Sequence, residues 1–391
     1  MMFWRNVVSN FLSVLVVILL VLGGVASWAK RQYEAPGPLA EGICLRVESG
    51  ARFKDISEEL RAKGAISSAY IFRAGADYED KTGALKIGSY LVAPASPMAK
   101  IVEQITEGGP STCGTELNFR IGVNGQQMIL REIDPASGDY VETAKFDPKA
   151  EAAPEGFAEE AAKADVRLRV TLAEGVTSWQ VVEALKLADF LEGGVASVPA
   201  EGSLSPDSYE VKRGTKREVL LTEMAARQAT VLAKAWEGRA EGLPYETPEE
   251  ALVMASIVEK ETGVAEERAR VASVFVNRLQ QGIKLQTDPT VIYGVTKGQG
   301  VLGRGLRQSE LRRETPYNTY VIEGLPAGPI CNPGTAAIEA ALHPDSTRFL
   351  FFVADGTGGH AFAETLEEHN ENVARWREIE AQQAKPATTG N

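Results

Sequence analysis

Residues 247–294 read TPEEALVMASIVEKETGVAEERARVASVFVNRLQQGIKLQTDPTVIYG, and this pattern predicts two successive helices with a carboxylate in an unusual place. Thr247 is a favourable helix N-cap and Glu250 completes a capping box, so the first helix begins here. At about 100° per residue, Glu261 falls within the apolar face of this helix and Glu259 falls almost opposite. We therefore expect Glu261 in apolar surroundings, and Glu259 on the solvent side or in a structural pair.

An apolar environment would give Glu261 a chemical use. Desolvation disfavours the ionised form of a carboxyl group and raises its pKa. A carboxylic acid that stays protonated near neutral pH can protonate the leaving oxygen of a glycosidic bond. Periodicity alone favours a different outcome, in which Glu261 ends its helix facing water or pairs with Arg268 or Arg270.

Composition limits the classes of function. The chain has 391 residues, 44% of them hydrophobic, and a net charge of −12. This length allows two or three domains with substantial cores. Acidic charge spread along the sequence argues against nucleic-acid binding, which needs a basic surface. The three histidines and three cysteines lack metal-ligand spacing, and no nucleotide-binding glycine pattern stands out, so no metal or other cofactor is expected.

The N-terminus carries a signal for the cellular compartment. Residues 6–29 contain no charged side chain, which predicts one transmembrane helix after a short cytoplasmic tail at residues 1–5. A cleavable signal peptide is the alternative, because small residues lie at 23–29. Flanking charges hardly distinguish the two orientations. With no second apolar span, everything after a linker at residues 30–42 is expected on the outer side of the membrane.

The residues that follow the linker predict a small α+β module. A strand at residues 43–47 is followed by two helices, a second strand at 85–92 and a further helix. The module extends over residues 43–110. Its pattern indicates a compact binding or structural domain and no particular chemistry.

Residues 111–165 change in character and are predicted to be an insertion or linker of unassigned role. The turn at residues 123–125, Val-Asn-Gly, lies between alternating segments and predicts a β-hairpin. Cys44 and Cys113 could form a disulfide in an oxidising compartment and leave Cys331 single and buried. Three unpaired cysteines are an equally consistent interpretation.

Polar and aromatic side chains after the second helix, at about residues 265–281, form a candidate sugar cleft. Residues 284–288 and 290–293 are predicted to be short and extended. Asp288 is either a second catalytic carboxylate or, more simply, an Asp-Pro turn residue that bonds its own backbone. His360 is predicted to be a structural turn residue rather than a base. The available cleft groups are Gln286, Thr287, Asp288, Tyr293, Tyr317 and Asn318.

Several segments together resemble the endolytic murein transglycosylases, the MltG or YceG-like family of bacterial inner-membrane proteins. The resemblance is loose over residues 43–109 and close from residue 168 to the C-terminus. The segments that carry it are AWEGR at 235–239, ASIVEKET at 255–262, VASVFVNRL at 271–279, LQTDPTVIYG at 285–294, YNTY at 317–320, GLP at 324–326 and FVADG at 352–356.

The resemblance implies an α+β fold with a particular domain order. A single-pass inner-membrane helix would precede a LysM-like module at residues 43–110. A lysozyme-like, mainly helical catalytic domain with a small β region would occupy residues 166–385, in the periplasm. The family motif Glu-Lys-Glu-Thr implies that Glu261 is the catalytic acid. By position in matched motifs, the substrate-binding residues would be Gln286, Asp288, Tyr317 and Asn318.

The resemblance also implies the reaction. The enzyme would cleave the β-1,4 bond between N-acetylmuramic acid and N-acetylglucosamine in nascent glycan strands without water. Glu261 would protonate the leaving oxygen and then take the proton of the muramoyl C6 hydroxyl, which leaves a 1,6-anhydro end. Such cuts would limit the elongation of glycan strands. The implied partners are peptidoglycan glycan strands, the inner membrane and peptidoglycan synthases.

Two alternatives stay open at this stage. The first is a hydrolytic muramidase in which Asp288 helps water to attack. The second, from another class, is a membrane-anchored scaffold that binds peptidoglycan without catalysis.

Overall fold

The computed structural model shows a mixed α+β protein, as predicted. The predicted domain boundaries at residues 110–111, 165 and 385 lie outside the residues that the structure describes. The described residues are 2–48, 50–108, 112–135, 137, 139–163 and 166–383, with side chains from residue 14 onward.

The elements of the first part of the chain alternate between helix and strand. They are α1 (Met2–Glu34), β1 (Ile43–Val47), α2 (Phe53–Ala62), α3 (Ala69–Tyr78), β2 (Gly88–Val92), α4 (Met98–Glu107), β3 (Thr115–Gly122), β4 (Gly125–Ile133), β5 (Tyr140–Phe146), α5 (Phe157–Ala161), β6 (Arg167–Leu172), α6 (Ser178–Leu185), β7 (Leu191–Glu192), β8 (Ser208–Val211) and β9 (Thr215–Lys216).

The second part is mainly helical. Its elements are α7 (Arg217–Glu237), α8 (Pro248–Glu261), a 3₁₀ turn (Ala265–Glu267), α9 (Arg268–Gln280), α10 (Asp288–Thr296), α11 (Gln308–Leu311), α12 (Thr335–Leu342), β10 (Phe351–Ala354), β11 (His360–Ala363) and α13 (Leu366–Gln383).

The chain divides into two compact units, and both contain residues of the segment 111–165. The first unit comprises Met1–Asn118, Ile129–Phe146 and Ala153–Leu168. The second comprises Phe119–Met128, Asp147–Ala152 and Arg169–Asn391.

The membrane-spanning prediction concerns α1. Its part Val14–Glu34 is long and apolar enough to cross a bilayer, with a mean hydropathy of 1.9. Its apolar side chains are exposed, and exposure of such a surface to water is unfavourable by about 25 cal/mol per Å². A signal sequence near an N-terminus passes the same test of length and composition.

The end of α1 belongs to the core of the first unit, which differs from the predicted linker at residues 30–42. The ring of Tyr33 is buried against Gly75 of α3, where an added Cβ would lie 2.4 Å from the ring. Leu39 is also buried in this core. Residues 30–42 therefore dock on the module, because their two large apolar side chains find buried sites there.

The module follows the predicted order of elements, although its second strand is Gly88–Val92 and not the predicted 85–92. β1 and β2 pair antiparallel, with Ile43 opposite Val92 and Val47 opposite Gly88. The apolar faces of α2, α3 and α4 pack into the same core. Cys44 and Cys113 form a disulfide, which settles the pairing that the sequence left open.

The sheet region confirms the predicted hairpin. β3 ends at Gly122, β4 begins at Gly125, and the two strands are neighbours in a five-stranded sheet of order β5-β4-β3-β6-β8. Gly125 has a φ of +156°, a backbone conformation that residues with a side chain rarely adopt. The short loop of Val123 and Asn124 thus reverses the chain where the Val-Asn-Gly pattern places the turn.

The core of the second unit surrounds α8. Thr247 caps this helix by accepting a hydrogen bond from the backbone N–H of Glu250 at 3.2 Å. Glu250 accepts from the N–H of Glu246 instead of closing the predicted capping box. Every residue from Ala251 to Val258 is buried, including Ser256 at 0% exposure. The side of α8 expected to face solvent is therefore buried as well, because α7, α9 and α12 all pack on this helix.

The segment after α9 differs from the prediction. Residues 290–293, expected to be extended, belong to the helix α10, which begins at Asp288. Pro289 lies in the first turn, where its fixed φ favours a helix and its missing N–H is not needed. Farther along, β10 starts at Phe351 and pairs antiparallel with β11, with Ala354 opposite His360.

The disulfide should contribute much of the stability of the first unit. It closes a sequence separation of 69 residues, and a loop of this length restricts the unfolded chain by about 4 kcal/mol. We expect reductant, or the double substitution Cys44→Ser/Cys113→Ser, to lower the unfolding temperature of the full chain in detergent, measured by circular dichroism. Reductant should not lower it further in the double variant. An unchanged unfolding temperature with both thiols free by mass spectrometry would contradict this expectation.

Candidate active site

Glu261 lies where the buried helix α8 ends. The backbone N–H of Thr262 bonds to the carbonyl of Val258 at 3.3 Å, and Thr262 is extended, so the chain leaves the helix immediately after Glu261. The hydroxyl of Thr287 donates a hydrogen bond to Oε1 of Glu261. Helix packing thus delivers one carboxyl group to the wall of a pocket.

The pocket has a volume of about 470 Å³, and polar or charged groups make up more of its lining than apolar ones. A pocket of this kind suits a ligand that carries many hydrogen-bonding groups. The lining residues are Glu261, Phe275, Arg278, Leu285, Gln286, Thr287, Asp288, Tyr320, Phe351, Phe352, Leu366 and His369.

Burial is the main influence on the Glu261 carboxyl group, and it raises the pKa. The hydrogen bond from Thr287 favours the ionised form and acts in the opposite direction. The negative charge of Asp288 raises the pKa further, and His360 lowers it. The net direction is upward, so Glu261 is suited to donate a proton.

Asp288 enters the same pocket from the first turn of α10. Its Oδ1 accepts a hydrogen bond from the Tyr320 hydroxyl at 2.7 Å, and a helix N-terminus stabilises its negative charge. Burial, together with Asp288, raises the pKa of Tyr320, so this phenol remains a donor. The Asp288 carboxylate is therefore positioned by the Tyr320 hydroxyl. Asp288 lies in the first turn of a helix and is not the turn residue that the sequence favoured.

Gln286 has a backbone conformation that is rare for a residue with a side chain. Its φ is +52°, a left-handed conformation that is unfavourable by about 1–3 kcal/mol. The N–H of Gln286 donates to the carbonyl of Thr319 at 3.1 Å, and the N–H of Thr287 donates to the Thr319 hydroxyl at 3.1 Å. These bonds hold the exposed Gln286 side chain at the pocket.

Arg278 is a pocket residue that the sequence interpretation missed. Its side chain is buried, and Nε and Nη1 donate to the carbonyls of Leu350 at 2.6 Å and Leu285 at 2.9 Å. A signal was present, because Arg278 follows Val274 and Phe275 by four and three residues on the apolar face of α9. Glu261 was selected from the sequence by the same signal, a charged residue on the apolar face of a helix.

The YNTY segment contributes a different residue from those predicted. Asn318 is 1% exposed and donates to the carbonyls of Glu310 at 3.1 Å and Arg313 at 2.7 Å, so it shapes the loop. The ring of Tyr317 packs on Tyr293, with centroids 4.8 Å apart. Neither Tyr317 nor Asn318 lines the pocket, and Tyr320 does.

His360 is held in a structural contact, as the sequence predicts. Its Nδ1 lies 2.8 Å from Oε2 of Glu267, and its backbone N–H donates to Oε1 of the same carboxylate at 3.0 Å. Among the described residues, no group of three or more His, Cys, Asp or Glu side chains could hold a metal ion.

Glu259 is not on the solvent side. Burial raises its pKa to about 7, with the nearby Glu174 adding to this effect, although the N–H of Gly334 donates to its Oε2 at 3.0 Å. Glu259 does not line the pocket that contains Glu261. It is the structural partner that the sequence offered as the second interpretation.

The fold and the pocket define an α+β protein with a buried acid at a candidate active site. Residues 129–375 match the model of the YceG-like family, so the chain belongs to this family. The match begins inside residues 111–165, which were predicted to be an insertion or linker of unassigned role.

Similar proteins cover most of the chain. An endolytic murein transglycosylase of Bacillus subtilis (strain 168) is 29% identical over 353 residues, which are 90% of this chain and 89% of that protein. A protein with the same name from Streptococcus pneumoniae serotype 2 (strain D39) is 28% identical over 85% of this chain, which spans 58% of that protein. A crystal structure of a YceG-like protein from Listeria monocytogenes is 26% identical, with a TM-score of 0.45 over 85% of this chain and 99% of that one.

The neighbours of Glu261 should shift the pH dependence of activity in opposite directions. Thr287→Val removes a contact that favours ionised Glu261, so the alkaline limb of kcat/KM should move to higher pH. Asp288→Asn removes a charge that disfavours ionisation, so this limb should move to lower pH. Rates of glycan cleavage between pH 4 and 10 test both shifts. If the alkaline limb moved in the same direction in both variants, the assignment of Glu261 as the acid would be contradicted.

The raised pKa of Glu259 should appear in protein stability. Its folded-state pKa lies above the ordinary value of 4.5, so its stabilising protonated form is retained at low pH and lost as the pH rises through about 7. We expect Glu259→Gln to be more stable than wild type at pH 8.5 by about 1–3 kcal/mol and equal to it below pH 4.5. Urea unfolding at both pH values measures the difference. A gain of equal size at both would show that ionisation is not its cause.

Proposed function

We propose that the chain is an endolytic peptidoglycan lytic transglycosylase that cleaves the β-1,4 bond between N-acetylmuramic acid and N-acetylglucosamine. The observation that carries the proposal is the Glu261 carboxyl, with a pKa raised by burial, at the wall of a pocket that offers aromatic and amide groups. The relatives named endolytic murein transglycosylase support the class of reaction and the substrate.

Glu261 acts first as an acid in this mechanism. Its proton passes to the oxygen that links the two sugars, and the bond between this oxygen and C1 of the muramoyl unit breaks. Positive charge develops at C1, and the carboxylate of Asp288, close enough to raise the pKa of Glu261, stabilises it.

The same residue then acts as a base. Ionised Glu261 takes the proton of the muramoyl C6 hydroxyl, whose oxygen attacks C1 and closes a 1,6-anhydro ring. The substrate supplies its own nucleophile, so no water is consumed and Glu261 ends the cycle protonated. The hydroxyl of Thr287 favours the ionised intermediate state of the carboxyl and thereby assists this second step.

The remaining pocket residues bind and orient the glycan. Gln286 presents an amide from a fixed left-handed backbone, and Tyr320 fixes Asp288. Tyr317 and Asn318 do not contact the substrate. They shape the loop that carries Tyr320 and so influence binding indirectly.

We also infer a LysM-like character for residues 43–110 and a lysozyme-like one for the helical part of the second unit. The order β1-α2-α3-β2, with an antiparallel strand pair on two helices, supports the first assignment. The disulfide between Cys44 and Cys113 supports placement of this part outside the cytoplasm, on the periplasmic side of an inner membrane spanned by α1.

Hydrolysis is the second candidate, because Asp288 lies in the same pocket and is held by Tyr320. A muramidase would use Asp288 as the base that activates water, and its products would carry reducing ends. The two reactions therefore differ in the mass and chemistry of the muramoyl terminus.

The decisive experiment is product analysis of purified peptidoglycan digested by wild type and by Glu261→Gln. We expect wild type to release fragments with 1,6-anhydro ends, and Glu261→Gln to be slower by 100-fold or more, on the order expected for loss of a general acid. Glu266→Gln, a change at an exposed carboxylate, is the matched control and should retain full activity. Reducing ends from wild type would replace the lyase by the muramidase. An undiminished rate in Glu261→Gln would refute the mechanism.

A further inference from the structure

A second pocket lies in the second unit, away from Glu261, and the proposed reaction leaves it unused. Its volume is about 420 Å³. Four segments form its walls: the β3–β4 turn, α6 with the two residues after it, the loop after α10 and the loop that contains Lys149. The half-buried indole of Trp179 lines it, and Val301, 66% exposed, stands at its edge.

Side-chain hydrogen bonds join these walls. Gln180 of α6 donates to the carbonyl of Val123 in the β3–β4 turn at 3.0 Å. The hydroxyl of Thr177, the N-cap of α6, donates to the carbonyl of Gly298 after α10 at 2.6 Å. Because its walls are held before any ligand arrives, little conformational entropy is lost on binding.

The fourth segment is fixed in the same way. The amide of Gln126 donates to Oδ1 of Asp147 at 2.5 Å, and the backbone N–H of Lys149 donates to the same oxygen at 2.8 Å. Asp147 therefore fixes the loop from which Lys149 lines the pocket.

Several polar groups of this pocket are available to a ligand. Gln126 and Gln180 are engaged within the chain, whereas within the described residues the side chains of Asn124, Gln299 and Lys149 and the indole N–H of Trp179 make no hydrogen bond. A pocket that offers an aromatic face and free amides suits a sugar, whose rings have an apolar C–H face and polar edges.

The charge of the pocket indicates a negatively charged substituent on that sugar. Lys186 is paired with Glu183 at 2.5 Å, whereas within the described residues the ammonium of Lys149 forms no ion pair, although the Asp147 carboxylate lies in the same loop. A carboxylate on the ligand would complement Lys149.

The helix α10 connects the two pockets. It begins at Asp288, which lines the pocket of Glu261, and ends at Thr296, three residues before Gln299 in the second pocket. Nine helical residues span about 13 Å. The two pockets therefore contain residues at or just beyond opposite ends of the same short helix.

We propose that this pocket is a second, non-catalytic saccharide site that binds an N-acetylated sugar carrying a carboxylate substituent, namely a muramoyl unit with its peptide stem. The sugar face lies on Trp179, its acetamido and hydroxyl groups bond to Asn124 and Gln299, and a stem carboxylate pairs with Lys149. The choice of peptidoglycan as the polymer rests on the proposed function.

Binding to full-length protein in detergent tests this site. Glu261→Gln serves as the background so that ligands are not consumed. The probes are short glycan strands with peptide stems, the same strands with the stems removed by an amidase, and a neutral N-acetylglucosamine tetramer. Kd is measured by isothermal titration calorimetry for Trp179→Ala, Trp179→Phe and Lys149→Ala. The control is Tyr78→Ala, at an aromatic residue that is 93% exposed in the first unit.

We expect Trp179→Ala to weaken binding of stem-bearing strands about tenfold, while Trp179→Phe, which keeps an aromatic ring, stays within threefold of the unsubstituted background. Lys149→Ala should weaken stem-bearing strands and leave the neutral tetramer unchanged. Tyr78→Ala should change nothing. Equal affinities of Trp179→Ala and the background for every probe would overturn the site, and an equal loss for all three probes in Lys149→Ala would overturn the carboxylate assignment.

Further controls separate this inference from the proposed function and from misfolding. If wild type forms anhydro ends but Trp179→Ala binds normally, the second site fails and the proposed function stands. If Trp179→Ala binds weakly although wild type cleaves nothing, the reverse holds. Should Trp179→Ala unfold, the exposed pair Lys149→Ala/Gln299→Ala carries the test, and an unchanged Kd for stem-bearing strands overturns the site.

Discussion

The burial of α8 is the constraint on which the site depends. Every residue of this helix from Ala251 to Val258 is buried. The packing of the neighbouring helices therefore fixes the position of its final residue, Glu261. Glu261 arrives there with one hydroxyl partner, that of Thr287. Burial is therefore stronger than the combined effect of Thr287 and His360, and the carboxyl pKa rises. If one face of α8 were exposed to solvent, the Glu261 side chain could turn toward water.

The segment that brings Gln286 to the pocket has an unfavourable backbone conformation, which neighbouring hydrogen bonds compensate. Gln286 keeps its left-handed conformation because two adjacent N–H groups are bonded to Thr319. Arg278 ties this segment to β10 by bonding the carbonyls of Leu285 and Leu350. The buried guanidinium of Arg278 thus links two segments through their carbonyl groups. Its removal would leave both carbonyls without these hydrogen bonds.

The sequence predicted the elements better than it predicted the loops. The apolar surroundings of Glu261 were predicted because a helix has a strict period, although the expectation of a solvent-exposed opposite face was wrong, since packing buries that face too. In the YNTY loop no period exists, and local hydrogen bonds decide that Asn318 points inward and Tyr320 toward the pocket. Asp288 and Pro289 suggest a turn and also the first turn of a helix, and only tertiary packing selects α10.

Glu259 shows why a raised pKa does not by itself identify an acid catalyst. Both glutamates of the Glu-Lys-Glu motif are half-buried, and burial raises both pKa values. Glu259 bonds to the N–H of Gly334 and lies near Glu174, and it does not line the pocket of Glu261. A perturbed pKa indicates function only in combination with access to a substrate. Two residues of helix, about 200° of rotation, separate a carboxyl group that lines a pocket from one that accepts a hydrogen bond from the protein's own backbone.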